Sequence, residues 1–245
     1  MAFLLRRGHQ ERSKRKEVPT DPMANLYQLG EVNQPEAHTY RAFTQEPSYV
    51  REILTPFIQQ QQQMDNPVVL DIGCGVGEAA DQFEKKGIPT IRLDYNFPVL
   101  RQQHSIINPL QVVQGNAWQL PLAAQTLTGI HVKDVLVHIP RRQQFWSEVA
   151  RVLQPGGLVL LTTSTARCQG SYYHSVDIVE TTALASCFSL RTIEKQSWLP
   201  LELDTDWYGW RINQLDKDRV PGWYINLLIL ATRRSVLLMQ KYDTV

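Results

Sequence analysis

Residues 68–78 read Val-Val-Leu-Asp-Ile-Gly-Cys-Gly-Val-Gly-Glu. Val68 to Ile72 is an apolar run of the length of a buried strand, and Asp71 stands near its end. A glycine-rich turn follows, and Glu78 to Lys86 then has the spacing of a helix. A strand that ends in an acid and turns through glycines into a helix is how an α/β sheet builds a ligand crevice at its carboxyl edge. Gly73 and Gly75 let backbone approach a ligand closely and can take positive φ where a side chain would clash. Asp71 would receive a cationic or hydroxyl-bearing group, directly or through water. The same glycines would also serve a tight strand-to-helix turn with no ligand. A dinucleotide fingerprint wants glycines at the first, third and sixth positions. Counted from Gly73, the sixth position is Glu78, whose charge and bulk would fall where a pyrophosphate should meet the helix end.

Outward from this stretch, short apolar runs alternate with amphipathic ones, the pattern of a parallel sheet with crossover helices. Strands are predicted at Thr90 to Asp94, Leu110 to Val113, Gly129 to Val132, Leu158 to Thr162 and Leu190 to Glu194. Helices are predicted at Pro98 to His104, Arg141 to Leu153 and Asp177 to Cys187. Pro155-Gly156-Gly157 reads as a turn, and Trp223 to Ala231 as a long apolar strand. Upstream, Glu36 to Ile58 carries spaced apolar and aromatic residues that suit one or two short amphipathic helices.

The 245 residues, 43% of them hydrophobic, suffice for one sizeable α/β core. Cys74, Cys168 and Cys187 are far apart and odd in number, which supports neither a disulfide framework nor a metal site. A reducing, cytoplasmic setting is the expectation. No apolar run reaches the roughly 18 residues a membrane span needs. The formal charge is +1, but the first 17 residues hold six basic side chains against two acidic ones. Such a tail is either a flexible terminus or an arm for an anionic partner. The organisation expected is a flexible tail over 1–35, a helical cap over 36–66 and the main α/β domain over 67–245, with an insertion at about 198–222.

Leu70 to Gly77, Leu-Asp-Ile-Gly-Cys-Gly-Val-Gly, resembles the first motif of the class I S-adenosylmethionine-dependent methyltransferases, in particular the small type 11-like domains. Further segments are similar in the same order: Arg92 to Asn96, Gln114 to Ala117 with Leu120-Pro121, Val132 to Ile139, and Ala150 to Gly157. The resemblance implies a Rossmann-like α/β fold with helices on both faces. Its seven-stranded sheet would be mostly parallel, with one antiparallel strand, which would be Trp223 to Thr232. It implies S-adenosylmethionine as cofactor and S-adenosylhomocysteine as product. Asp71, Gly73, Cys74, Gly75, Asp94, Tyr95, Asn116, Ala117 and Lys133 would line the cofactor, with Asp94 on the ribose hydroxyls and Asn116 at the adenine.

There are departures from the family pattern. Asn116 stands where Asp is common, and its side-chain carbonyl can still accept from the adenine amino group. Leu127-Thr128 replaces a Phe-Asp pair, and Cys187-Phe188 replaces a frequent Gly-Phe, which implies a less extreme turn.

Methyl transfer from a sulfonium needs alignment and exclusion of water, and a base only where the acceptor must lose a proton. His138, after the fourth strand, is the candidate base, against a structural role at the start of a helix. His131, inside a strand, reads as a core residue. Tyr40, Tyr172, Tyr173, Trp207, Tyr208 and Trp210 are candidates for an acceptor pocket suited to a flat or apolar small molecule, with His174 beside the two tyrosines. No metal site is expected. The alternatives are an RNA or protein methyltransferase and a cofactor-binding domain without turnover. Nucleic acid is disfavoured, because the chain lacks an Asn/Asp-Pro-Pro-Tyr tetrapeptide and a Pro-Cys nucleophile.

Overall fold

A computed structural model describes residues 47–103, 111–164, 174–198 and 234–242 of the chain. The first described element, α1, runs unbroken through Pro47–Tyr49, a π-helical turn over Val50–Leu54, and Thr55–Gln62. The wide turn is closed by Thr55, whose backbone N–H and hydroxyl both reach the Val50 carbonyl, the hydroxyl at 2.7 Å. Tyr49, Ile53, Leu54, Phe57, Ile58 and Gln61 share one buried face, the three-to-four spacing of an amphipathic helix laid on a core.

The remaining elements alternate as the apolar runs foretell. They are β1 (Val69–Ile72), α2 (Glu78–Lys85), β2 (Thr90–Asp94), α3 (Phe97–Gln103), β3 (Val112–Gln114) and β4 (Leu127–Lys133). Then come α4 (Arg142–Val152), β5 (Leu153–Ser164), α5 (Ile178–Ser186), β6 (Leu190–Trp198) and β7 (Arg234–Lys241). A single 3₁₀ turn, Leu136–His138, follows β4. Asp177 caps α5, its Oδ1 accepting from the backbone of Val179 at 2.7 Å and Glu180 at 3.0 Å.

The sheet has seven strands in the order β3-β2-β1-β4-β5-β7-β6. Pairing is parallel from β3 through β5, and β7 runs antiparallel to both β5 and β6. Successive strand residues face opposite layers. Val69, Leu158 and Leu160 join α1 and Phe83 of α2 in one apolar cluster. Leu70, Ile72, Ile130, Val132, Val159 and Leu161 join Phe145, Trp146, Val149 and Val152 of α4 in the other. Both faces are therefore covered by helices, as an all-parallel core requires. Gly129 sits on the α1 face because Gln61 leans over it: a Cβ there would lie 2.7 Å from the Gln61 side chain.

Two expectations are corrected. The reversed strand is Arg234–Lys241, not Trp223 to Thr232, and residues 223–232 lie outside the described residues. Periodicity alone favours the longer apolar run. The strand that threads between two neighbours needs only its centre, Val236 to Met239, buried on both faces. Pro155-Gly156-Gly157 is no separate turn: the chain stays in β5 and bulges, so that Leu127 pairs with Leu153 and Gly129 with Leu158. After α5, Cys187 is ordinary right-handed helix, in line with the milder turn its replacement of glycine implies, and the left-handed residue falls two positions later at Ser189, at φ 63°.

Candidate functional site

The crevice begins where β1 runs into its glycine turn. Gly73 and Gly75 take φ of 68° and 55°. The turn is stitched to β2 by the backbone N–H groups of Gly73 and Cys74, which donate to the Leu93 carbonyl at 2.7 and 3.1 Å. A Cβ on Gly73 would stand 2.2 Å from Val135 Cγ2, so the segment after β4 closes directly over this glycine.

Behind the turn lies a fully buried guanidinium. Arg92 Nη2 pairs with Asp81 at 2.8 Å and Glu84 at 2.7 Å, both on α2. Arg92 Nη1 donates to the Gly77 carbonyl at 3.3 Å and to Gln103 Oε1 at 3.4 Å. Gln103 in turn donates its amide to the Gly75 carbonyl. One buried charge thus fixes the start of α2, the end of α3 and the shape of the glycine turn.

Two carboxylates edge this turn. Asp94 accepts from Gly75 N–H at 2.9 Å through Oδ2 and from Asn96 N–H at 2.8 Å through Oδ1. Burial pushes its carboxyl up, the backbone N–H groups of Asn96, Gly75 and Tyr95 oppose this, and the negative charge of Asp71 adds to the rise. Asp71 is buried, and its Oδ1 lies 2.7 Å from Nδ1 of His131. Its Oδ2 is enclosed, and no donor among the described residues reaches it. Between them Cys74 is buried; desolvation and then the charges of Asp71 and Asp94 push its thiol well up. Cys74 is accordingly a protonated wall, not a thiolate nucleophile.

Across the crevice, the loop after β3 is held from α4. Glu148 accepts from Leu120 N–H at 2.7 Å, and Arg151 donates to the carbonyls of Leu122 and Leu120 at 2.7 and 3.0 Å. Asn116 Oδ1 accepts from Trp118 N–H at 3.2 Å, which leaves that carbonyl one lone pair. Ala117 packs on the core, and the Tyr95 carbonyl accepts from the Gln114 amide at 3.2 Å.

At the end of β4, Lys133 Nζ stands 4.5 Å from the centroid of the Tyr49 ring. Asp134, at φ 56°, pairs with Arg234 at 2.7 Å. His138 is half-buried in the 3₁₀ turn, and the neighbouring Val137 carbonyl accepts from His174 N–H at 2.7 Å, bringing two of the sequence's histidines to one corner. Tyr40, Tyr172, Tyr173, Trp207, Tyr208 and Trp210 lie outside the described residues. Among the described residues no cluster of His, Cys, Asp and Glu suits a metal ion, and no helix is long and apolar enough to cross a membrane.

Sequence reasoning placed Tyr49, Gln103, Arg92 and Val135 in predicted elements or matching segments but gave none of them a role in the site. Only Arg92 carried a signal, a charge set between apolar residues in a strand that must be buried.

Residues 70–161 match the family model described as "Methyltransferase domain". A sterol 24-C-methyltransferase of Gibberella zeae is 30% identical over 97 residues, 37% of this chain and 26% of that protein. A ubiquinone/menaquinone biosynthesis C-methyltransferase of Blochmanniella floridana is 32% identical over 123 residues, 46% of this chain and 48% of its own length. The chain thus spans about a quarter to a half of these relatives. The structure of a Haemonchus contortus phosphoethanolamine N-methyltransferase with S-adenosyl-L-methionine superposes with a TM-score of 0.61 at 15% identity, over 89% of this chain and 60% of that one. At that identity the likeness shows the fold. Over residues 70–161 the chain is thus similar to the methyltransferase-domain family, and its seven-stranded sheet has the fold of the S-adenosylmethionine-dependent methyltransferase structures.

Proposed function

We propose that this chain passes the methyl group of S-adenosylmethionine to a small-molecule acceptor, flat or apolar in character, by in-line displacement. The observation that carries the reading is the pair of carboxylates at the glycine turn, Asp71 buried and Asp94 half-buried, with Asp71 Oδ2 reached by no donor among the described residues. Two neighbouring acids in a desolvated cradle favour a ligand that brings positive charge. The cofactor has that chemistry: a sulfonium, an ammonium and ribose hydroxyls. The residues present therefore fit it.

Strand order supports a layout. Asn116 follows β3, Asp94 ends β2 and Asp71 lies in the last half of β1, adjacent strands spaced about 4.8 Å apart. We assign Asn116 and Ala117 to the adenine, Asp94 and Tyr95 to the ribose, and the glycine turn with Asp71 and Cys74 to the amino-acid end. When bound, the cofactor supplies an electrophilic methyl carbon on sulfur. The chain's own task is to hold an acceptor atom in line with that carbon and to keep water out.

His138 is assigned as the base for an acceptor that must lose a proton from oxygen or nitrogen; the acceptor's proton would pass to the imidazole as the new bond forms. Relatives named for sterols and for quinone biosynthesis support an apolar acceptor.

Calorimetric titration with S-adenosylmethionine and S-adenosylhomocysteine tests the reading. Micromolar binding of both is expected. Absence of heat and of any thermal stabilisation from a folded protein would sink it.

A further inference from the structure

Asp71 does not stand alone. His131 lies next to it on β4, with Nδ1 2.7 Å from Asp71 Oδ1 and Nε2 2.8 Å from the Tyr49 hydroxyl. That hydroxyl is also 3.2 Å from Thr162 Oγ1 on β5. An ionised carboxylate can only accept, so Nδ1 donates to Asp71; a neutral imidazole then accepts at Nε2 from Tyr49, whose oxygen accepts from Thr162. The chain of bonds is buried throughout, joining α1, β5, β4 and β1.

It is also rigid. The Tyr49 ring meets Trp198 edge-on at 5.4 Å and carries Lys133 Nζ over its face. Trp198 Nε1 donates to Glu52 at 3.3 Å, and Phe83 stands edge-on to the His131 ring at 5.9 Å. A carboxylate with one oxygen fixed by such a chain has its other oxygen fixed too. In Asp71 that other oxygen is the one that no donor among the described residues reaches.

We infer that His131, anchored by the Tyr49 hydroxyl of α1, is a positioning residue that aims Asp71 Oδ2 at the cofactor's ammonium, directly or through one water. This rests on the reading that the crevice takes S-adenosylmethionine. It gives α1, which precedes the methyltransferase motifs, a role in cofactor selection beyond covering the sheet.

The test compares S-adenosylhomocysteine with 5′-methylthioadenosine, which keeps the adenosine and thioether but lacks the amino-acid end. Calorimetry is run on wild type, His131→Phe, His131→Asn and Tyr49→Phe, with thermal melts to establish that each is folded. His131→Phe keeps the ring volume and leaves Asp71 Oδ1 without its donor. A loss of about tenfold or more is expected for S-adenosylhomocysteine, with methylthioadenosine within about twofold of wild type, since a hydrogen bond to a charged group is at stake. His131→Asn restores a donor near the place of Nδ1 and should recover most of the loss. Tyr49→Phe, which removes one oxygen, should weaken S-adenosylhomocysteine selectively by about threefold, and it reads the inference even if His131→Phe does not fold.

Equal losses for both ligands, or no loss in folded His131→Phe and Tyr49→Phe, would overturn the inference and leave the function standing. A wild type that binds neither ligand would overturn the function, and this inference with it.

Discussion

Gly75 donates its backbone N–H to Asp94 Oδ2 at 2.9 Å, tying the centre of the glycine turn to the end of the neighbouring strand. Asn96 holds the other oxygen, so the carboxylate cannot rotate away from the crevice. Asp94→Ala removes both bonds and the charge. We expect affinity for S-adenosylhomocysteine to fall by about 10- to 100-fold, equivalent to about 1.5–3 kcal/mol for a charged hydrogen-bonding group. Calorimetry beside circular dichroism checks this, the latter showing an unchanged fold.

Arg92→Met keeps the apolar stem and deletes the buried charge that Asp81 and Glu84 share. Those acids are partly exposed, side chains 43% and 27%, and can regain water, so the cost falls below that of a sealed ion pair. A loss of about 1–3 kcal/mol is expected in urea unfolding. Cofactor affinity should fall as well, because Gln103 loses the group that orients it toward Gly75.

Glu148 is held below the usual glutamate range, first by its bonds to Arg151 and then by the Leu120 N–H, against the cost of burial. A carboxyl whose pKa is lower folded than unfolded stabilises fully above the unfolded value, about 4.3. That contribution disappears as pH falls through the folded value. Glu148→Gln should therefore cost about 0.5–1 kcal/mol at pH 7 and progressively less below pH ~4. Melting curves of the two proteins from pH 7 to pH 3 should converge; parallel curves would refute the assignment.

Gly129→Ala puts a methyl 2.7 Å from the Gln61 side chain, which is buried and also reached by the Thr128 hydroxyl at 2.8 Å. Overpacking of about 1–3 kcal/mol is expected. Adding Gln61→Ala should recover part of it, and a double-mutant cycle of thermal stabilities would show coupling between α1 and β4.

The strands from Val69 to Val132 were legible because a parallel strand buried on both faces must be nearly all apolar, and the glycine turn because its spacing is unusual. The exceptions inside those strands carried less readable information. His131 read correctly as a core residue, yet nothing in its own neighbourhood says that its partners are Asp71 on one strand and Tyr49 on a distant helix. Such bonds are set by strand order, which sequence spacing does not state. The reversed strand failed for a related reason. Trp223 to Ala231 and Val236 to Met239 are both apolar, and the choice between them depends on which run can insert between β5 and β6. Ser189 in the left-handed region where glycine is usual shows the same limit at a single residue.

The position of β7 bears on how the molecule is assembled during synthesis. Among the described strands β6 pairs with β7 alone, and β7 also completes the free side of β5. A nascent chain can close β1 to β5 as each crossover emerges. It must carry β6 unpaired until residues 234–241 have left the ribosome, roughly two to nine seconds later at ordinary elongation rates of about 5–20 residues per second. During that interval two strand edges lie open to pairing with other chains. Chaperone dependence should therefore be most acute in this last stretch, and a nonsense mutation shortly before Arg234 should yield an aggregating product although every proposed cofactor-binding residue has been made.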